Sequence, residues 1–520
     1  MSGETKETEA GVVSNDVSDD VSDDVRNDWR GIGWILALAV AAFMAPYLIG
    51  FDADPDLWGH TLFGATHIDT GVLAREDPYT YTNDGQPWVN HEWLAELAFG
   101  AAWKLAGQAG MIALRTFLFV GMVAALVRAM WERARAPVVI GVLTFWVLPY
   151  LDTFMILRPH AFTWFFMALV ILWTEWIRGG RMIWAWAMAP LLTAWVNAHG
   201  GFIVGLCAAE LCLGSLLIGF EDNLRPWTNR ERAHLVGAMV ATALATLVNP
   251  YGYGIYVYLI DALSLVRPIS EWQPITGGMR LHYGVMVTLV ALGWLATRRR
   301  DRLAGWVLFA VGCYAGWKHA RFFVLMAMCS AVVLNDVLAM LAARWTGKRP
   351  PWLGPAALVA LALISMAPTA SALRGSGFTV RVDPTVYPVL GTYALELRAE
   401  AIGPNLAVLF SWGEYAIWHL YPDYKVSMDG RYETVYPPGR TEAAIFAELR
   451  ADVETFLHHR PADAAMVRTG SALEQALRAS PEWSMWHEDA TATIFLPAGH
   501  AVAPVTREEL KTLPRLGEFP

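Results

Sequence analysis

The stretch from Gly31 to His60 reads GIGWILALAVAAFMAPYLIG followed by FDADPDLWGH. Its first twenty residues carry no charge, enough to cross a bilayer core, which takes ~17–25 helical residues. The chain then leaves the apolar run straight into Asp52, Asp54 and Asp56, at alternate positions, with His60 four residues beyond. Carboxylates this close repel one another, so they call for a cation, a proton or hydrogen bonds. Oxygen ligands of this kind suit Mg²⁺, Mn²⁺ or Ca²⁺. One of them can instead serve as a general base. The plain structural reading is a capped turn, with Asp54 or Asp56 as N-cap of a helix starting near Leu57. A cap needs one acid and not three.

The rest of the chain has the same character. Of 520 residues, 55% are hydrophobic and 17% charged, 25 are Trp, and the mean hydropathy is +0.35. A soluble domain carries about 25% charge, so the composition indicates an integral membrane protein and excludes a nucleic-acid binder of any common sort. The net charge is −9, and residues 1–30 hold nine acids against three bases. Residues 1–28 are expected to be a disordered acidic tail on the cytoplasmic side, since they have too little apolar surface to offset their ordering entropy. Cys207, Cys212, Cys313 and Cys329 all lie in apolar stretches without a CxxC pair. They read as buried small hydrophobes and imply neither a disulfide framework nor a zinc site.

Apolar runs at about 31–50, 109–130, 137–156, 160–177, 181–197, 201–220, 233–249, 281–297, 302–318, 320–343 and 353–370 predict eleven transmembrane helices within 29–370. One set of connections carries seventeen Lys and Arg, from Arg26 to Arg349. The alternate set carries six: Arg75, Arg158, Arg267, Arg280, Lys318 and Arg321. The positive-inside rule therefore places the N-terminus in the cytoplasm and residues 371–520 outside. Residues 51–91 become a long first outer loop. Residues 92–107 read as an interfacial helix, because a further crossing there would put the basic cluster at 128–135 on the wrong side. From 371, β-like runs at 406–411, 424–428, 464–468 and 492–496 alternate with helical stretches at 388–401, 413–420, 440–459 and 471–479. This predicts a C-terminal extracytoplasmic α/β domain.

Polar chemistry gathers at the outer ends of the spans. The first loop ends Trp88-Val89-Asn90-His91-Glu92-Trp93. Arg158 and His160, His199, Glu271, and Lys318, His319 and Arg321 occupy corresponding ends further along. Each alone reads as turn chemistry, a snorkelling base or a packing histidine. Together they point outward, because ionisable groups at membrane depth are costly and face polar cavities. Cations beside carboxylates suit an anionic ligand such as a lipid phosphate or pyrophosphate. Asp429-Gly430-Arg431 follows a β-like run and reads either as a strand-ending turn or as a pair of charges facing the acceptor.

An inner N-terminus, one span and then an acid-rich outer loop resemble the GT-C superfamily of membrane glycosyltransferases, polytopic enzymes that use polyprenyl-phosphate-linked sugars. The sequence is most similar to the bacterial branch akin to protein mannosyltransferases and lipid A aminoarabinose transferases. The resemblance rests on Asp54-Pro55-Asp56-Leu57-Trp58-Gly59-His60, Asp77-Pro78-Tyr79-Thr80, Trp88-Val89-Asn90-His91-Glu92-Trp93-Leu94 and Met428-Asp429-Gly430-Arg431. It implies a catalytic carboxylate at Asp54 or Asp56, with Asp52 the poorer match, and basic residues such as Arg158, Lys318 and Arg321 on the lipid phosphate. His60, His91, Glu92, His160, His199, Glu271 and His319 join these as expected substrate-binding residues. A divalent metal, Mg or Mn, at Asp54 and Asp56 is the one cofactor expected. The implied activity is inverting sugar transfer to a lipid, glycan or protein acceptor at the outer face of a bacterial inner membrane. The alternatives are a lipid or polysaccharide flippase, which calls for charges near the bilayer midplane, and a non-catalytic component of envelope glycan assembly.

Overall fold

A computed structural model describes residues 23–153, 155–219, 225–264, 272–297, 303–345, 353–375, 378–458 and 460–510. Each of the eleven apolar runs falls on a helix: Asp23–Leu48, the second part of Trp93–Arg133, Pro137–Thr153, His160–Arg178, Ile183–Ala198, Phe202–Ile218, Asn229–Ala245, Gly278–Thr297, Leu303–Lys318, Phe323–Trp345 and Leu353–Gly375. Five described helices are long and apolar enough to cross a membrane by length and composition: Trp93–Arg133, His160–Arg178, Gly278–Ala296, Ala320–Ala342 and Leu353–Ser371. Helices suit this setting because they satisfy their own backbone groups in lipid. The long helix is interrupted at Ala106 and Gly107, the latter at φ 54, so 93–105 and 108–133 are separately directed pieces.

The loop after the first span is largely structured. It holds the helix Leu57–Thr70, which packs on the start of Trp93–Arg133. Gly64 and Gly100 make that contact: a Cβ on Gly64 would lie 1.7 Å from the Glu96 carbonyl oxygen, and one on Gly100 would lie 2.3 Å from the Ala65 nitrogen. Only residues without side chains allow two helix backbones this near, and the contact brings His60 alongside Glu96.

Strands β1 (Phe51–Asp52) and β2 (Val380–Arg381) pair in parallel, Phe51 with Val380 and Asp52 with Arg381. The chain leaving the helix Asp23–Leu48 is thereby tied to the chain leaving Leu353–Gly375. Beyond β2 lies a five-stranded sheet of β3 (Asn405–Val408), β4 (Lys425–Val426), β5 (Ala464–Arg468), β6 (Trp483–Glu488) and β7 (Ala492–Pro497), in the order β4-β3-β5-β7-β6. β4, β3 and β5 are parallel; β7 and β6 are antiparallel additions. Leu406, Ala407, Ala464, Ala465, Met466, Val467, Ile494 and Phe495 are buried in its core. Four strands lie on predicted runs. β6 was not anticipated: its residues are mostly half-buried or exposed, as expected of an edge strand without an apolar alternation. A parallel bridge from Thr80 to Val426 fastens the first loop to the other edge of this sheet.

Candidate active site

The loop, the membrane-side helix ends and the sheet region enclose one cavity of about 370 Å³. Its polar wall includes Asp56, His60, His91, Glu92, Arg158, His160, His199 and Arg321, all named from the sequence.

Asp56 occupies the N-cap position of the helix Leu57–Thr70 but makes no side-chain cap hydrogen bond. Its carboxylate is thus not spent on the helix. Arg158 answers the repulsion among the loop acids. Its Nε and Nη2 donate to the two oxygens of Asp54, the latter at 2.8 Å, and its Nη1 lies 3.1 Å from Asp56 Oδ2. Asp54 Oδ1 also accepts the Asp56 backbone N–H at 3.1 Å. A guanidinium thus stands between Asp54 and Asp56, the pair the sequence offered either as a base or as a metal site. Among the described residues, no group of three or more His, Cys, Asp or Glu is placed to hold a metal. Asp52 points away, largely exposed and paired with Arg381 at 2.7 Å.

A second carboxyl meets Asp56 from the sheet region. Glu414, at the start of the helix Gly413–Leu420, is 3% exposed and accepts the Gly59 backbone N–H at 3.1 Å. Gly430 lies against both acids: a Cβ there would be 2.7 Å from Asp56 Oδ1 and 2.8 Å from Glu414 Oε1. Burial, then the charges of Asp56 and Asp429, push the Glu414 carboxyl well above its ordinary range. Burial and the neighbouring carboxylates thus favour the protonated form of Glu414.

In the same cavity, three imidazoles surround Glu92. His91 Nε2 and His199 Nε2 lie 3.7 and 3.8 Å from Oε1, and His60 Nε2 lies 4.0 Å from Oε2. Burial raises the Glu92 carboxyl to about 7. His60 Nδ1 sits 3.3 Å from Glu96 Oε1, and Asn90 Nδ2 donates to Glu96 Oε2 at 2.6 Å. Burial lowers the His60 pKa, but the Glu96 hydrogen bond and the charges of Glu92, Glu96 and Asp56 outweigh it, leaving a net rise. His199 goes the other way: burial, then the charge of Arg321, push it well below its usual value. Its Nδ1 accepts the Gly201 backbone N–H at 2.9 Å, so its one proton sits on Nε2, facing Glu92. Arg321 lies over the Trp272 ring, 4.7 Å from its centroid.

Two expected residues stand apart from this wall. Lys318 is exposed at the end of its helix and lines no part of the cavity. The sequence places it at a helix end but not on a side of the helix. His319 acts one step removed, its Nδ1 2.6 Å from the Trp272 carbonyl oxygen. Glu271 falls outside the described residues.

Asp429-Gly430-Arg431 is divided between the core and the cavity wall. Asp429 is fully buried and bonds Arg431, whose Nη2 lies 2.6 Å from Asp429 and 2.7 Å from Asp77. The guanidinium also lies over Trp88, Tyr79 and Phe63, at 4.6, 5.3 and 5.2 Å from the ring centroids. Gly430 and Arg431 line the cavity. Glu96, Asn90 and Glu414 were not singled out from the sequence. An acid in the first turn of a helix looks like ordinary dipole chemistry, and nothing local reveals that Glu414 faces Asp56.

No protein-family model matches the sequence, and no curated protein matches it. Solved structures do resemble it. The archaeal oligosaccharyltransferase AglB from Archaeoglobus fulgidus, in complex with an inhibitory peptide and a dolichol-phosphate, aligns with a TM-score of 0.55 at 12% identity, over 91% of this chain and 75% of its own. ArnT from Cupriavidus metallidurans bound to undecaprenyl phosphate aligns with a TM-score of 0.50 at 12% identity, over 91% of this chain and 99% of its own. The mycobacterial arabinofuranosyltransferase AftD aligns with a TM-score of 0.50 at 14% identity, over 89% of this chain and 41% of its own. The chain has the fold of the GT-C glycosyltransferases.

Proposed function

We propose that the protein is an inverting membrane glycosyltransferase that moves a sugar from a polyprenyl-phosphate donor to an acceptor hydroxyl. The reading carries with it eleven membrane spans, a cytoplasmic N-terminus and an α/β domain of residues 371–520 outside a bacterial inner membrane. The observation that carries it is the Asp56 carboxylate, which makes no side-chain cap and is held by Arg158 in a cavity that Arg321 and His60 also line. That two similar folds were solved with dolichol-phosphate and undecaprenyl phosphate supports the choice of donor.

In this scheme Asp56 takes the proton from the acceptor hydroxyl. The oxygen's electron pair forms a bond to the anomeric carbon as the bond from that carbon to the phosphate oxygen breaks on the opposite face. The bonding pair leaves with the polyprenyl phosphate, and its charge is met by Arg321, the His60 imidazole and the Nε2–H of His199. Fixed donors aimed at developing charge are the strongest single contribution a site makes. Arg158 and Asp54 hold the base in place. Glu414, whose protonated form burial favours, stands beside Asp56 against Gly430.

A divalent ion bridging Asp54 and Asp56 is the second arrangement, and it has to displace Arg158. Transfer from a defined polyprenyl-phosphate sugar in liposomes, with and without chelator, separates the two. Under the Arg158 scheme, chelator leaves the rate unchanged and Asp56→Asn lowers it by ~10²–10⁴-fold. Asp54→Asn lowers it through the loosened guanidinium, and Asp52→Asn has a mild effect. Full activity in both the Asp54 and Asp56 variants would remove the base assignment, and absence of transfer in the unmodified protein would leave the flippase reading ahead.

A further inference from the structure

The cavity has two unlike sides. The helical region contributes Val204, Leu259, Trp272 and Phe322, an apolar side suited to a lipid. The sheet region contributes Phe410, Ser411, Tyr432, Glu433 and Thr434. We propose that this second side is the acceptor subsite and that the acceptor is a carbohydrate. The inference rests on the transferase reading and adds the chemical class of its acceptor.

Three observations carry it. The rings of Phe410 and Tyr432 meet edge to face at 4.8 Å, and both residues are half-buried at the cavity wall. They form an aromatic surface flanked by the Ser411 hydroxyl and the Glu433 carboxyl group. A pyranose has a matching character, with a C–H face for the rings and an edge of hydroxyls for the polar groups.

Tyr432 is also held at φ 48, a left-handed conformation that bulky residues rarely adopt and that persists where the surroundings dictate it. Those surroundings are visible. The Arg431 backbone N–H donates to Asp429 Oδ1 at 3.0 Å, and the Tyr436 N–H donates to the Tyr432 carbonyl at 2.8 Å. On the other side of the pair, the Phe410 N–H donates to Glu448 Oε1 at 2.7 Å.

The third observation weighs against a peptide. One common way to recognise an extended peptide is to add its backbone to a strand edge with unspent backbone groups. Here the wall spends its backbone groups on itself: the Thr434 N–H goes to the Arg431 carbonyl at 3.2 Å, the Val435 N–H to Tyr432 at 3.1 Å, and the Thr434 carbonyl accepts from Val89 at 2.9 Å. A lipid acceptor meets Ser411 and Glu433 where it needs apolar contact.

The test uses the full-length protein in lipid nanodiscs and saturation-transfer NMR. The probes are gluco-, galacto- and manno-configured trisaccharides and a Ser/Thr-containing pentapeptide. Variants are Phe410→Ala and Tyr432→Gly, the latter chosen because glycine accepts the backbone of that position without strain. Undecaprenyl phosphate affinity is measured in parallel. The expected result is saturation transfer to the ring protons of at least one trisaccharide, reduced about tenfold in both variants, with no signal from the peptide and lipid affinity unchanged. Absence of signal from every trisaccharide, a signal that survives both substitutions, or a peptide signal in the wild type overturns the acceptor assignment. Loss of undecaprenyl phosphate binding in the wild type counts instead against the transferase reading beneath it.

Discussion

Replacing Gly430 by alanine tests whether Asp56 and Glu414 must keep their present positions. The added methyl would stand 2.7 Å from Asp56 Oδ1 and 2.8 Å from Glu414 Oε1. Ordinary contact begins near 3.4 Å, so each carboxyl group has to retreat by about 0.6–0.7 Å, the difference between these distances. The displaced atoms are the ends of side chains, and Gly430 is not among the glycines at positive φ. The backbone therefore accepts alanine, and the melting temperature should scarcely change. Catalysis should not be so tolerant, since a misplacement of ~1 Å costs on the order of 10²-fold. We expect transfer from a polyprenyl-phosphate sugar to fall by about 10- to 100-fold, chiefly in kcat. Gly284→Ala, where the new methyl meets nothing within 4 Å, is the control. A Gly430→Ala protein that folds normally and transfers sugar at the control rate refutes the placement of the base.

Other outcomes follow from the same geometry. Arg431→Ala leaves the buried carboxylates of Asp77 and Asp429 without their shared cation. It should destabilise the protein by about 3–5 kcal/mol, read as a lower unfolding midpoint, whereas a purely local turn predicts almost none. Glu448 is raised to about 7 by burial. The unfolded chain therefore releases its proton first, and stability falls as pH rises from ordinary carboxyl values through 7. Glu448→Gln should remove about 1–2 kcal/mol of that fall after discounting for partial exposure, measured as the change in unfolding midpoint between pH 5 and pH 8. A single cysteine engineered near Gly107 should be labelled from the outer side, together with one in residues 371–520. Labelling from the cytoplasm, with the C-terminal region still outside, breaks the proposed topology.

The helices were legible because membrane spanning imposes a length and an apolar composition that a single sequence displays. Strands β3, β5 and β7 were legible because their buried alternatives, such as Ala464 to Val467, form short apolar runs. β6 carries no such signal, and the β1–β2 pair joins residues at opposite ends of the membrane region. The site divides in the same way. Asp56, Arg158 and His199 stand beside spans, where a charge has a cost and therefore a meaning. Arg431 meets Asp77 across 354 positions, and Glu414 meets Asp56 beside Gly430 and Gly59. Such meetings are fixed by packing between distant segments, and no local pattern announces them. Lys318 shows the converse limit: a position at a helix end does not settle which way the side chain faces.

The central claim is that this cavity holds a polyprenyl phosphate with Asp56 facing its sugar-bearing end. A density map of the full-length protein in nanodiscs with undecaprenyl phosphate tests it most directly. The account predicts the phosphate within hydrogen-bond reach of Arg321 and His60, the chain running over Val204 and Leu259, and Asp56 open toward the phosphate from the far side. A phosphate bound away from this cavity, or seated on Lys318 with Arg321 uninvolved, contradicts it.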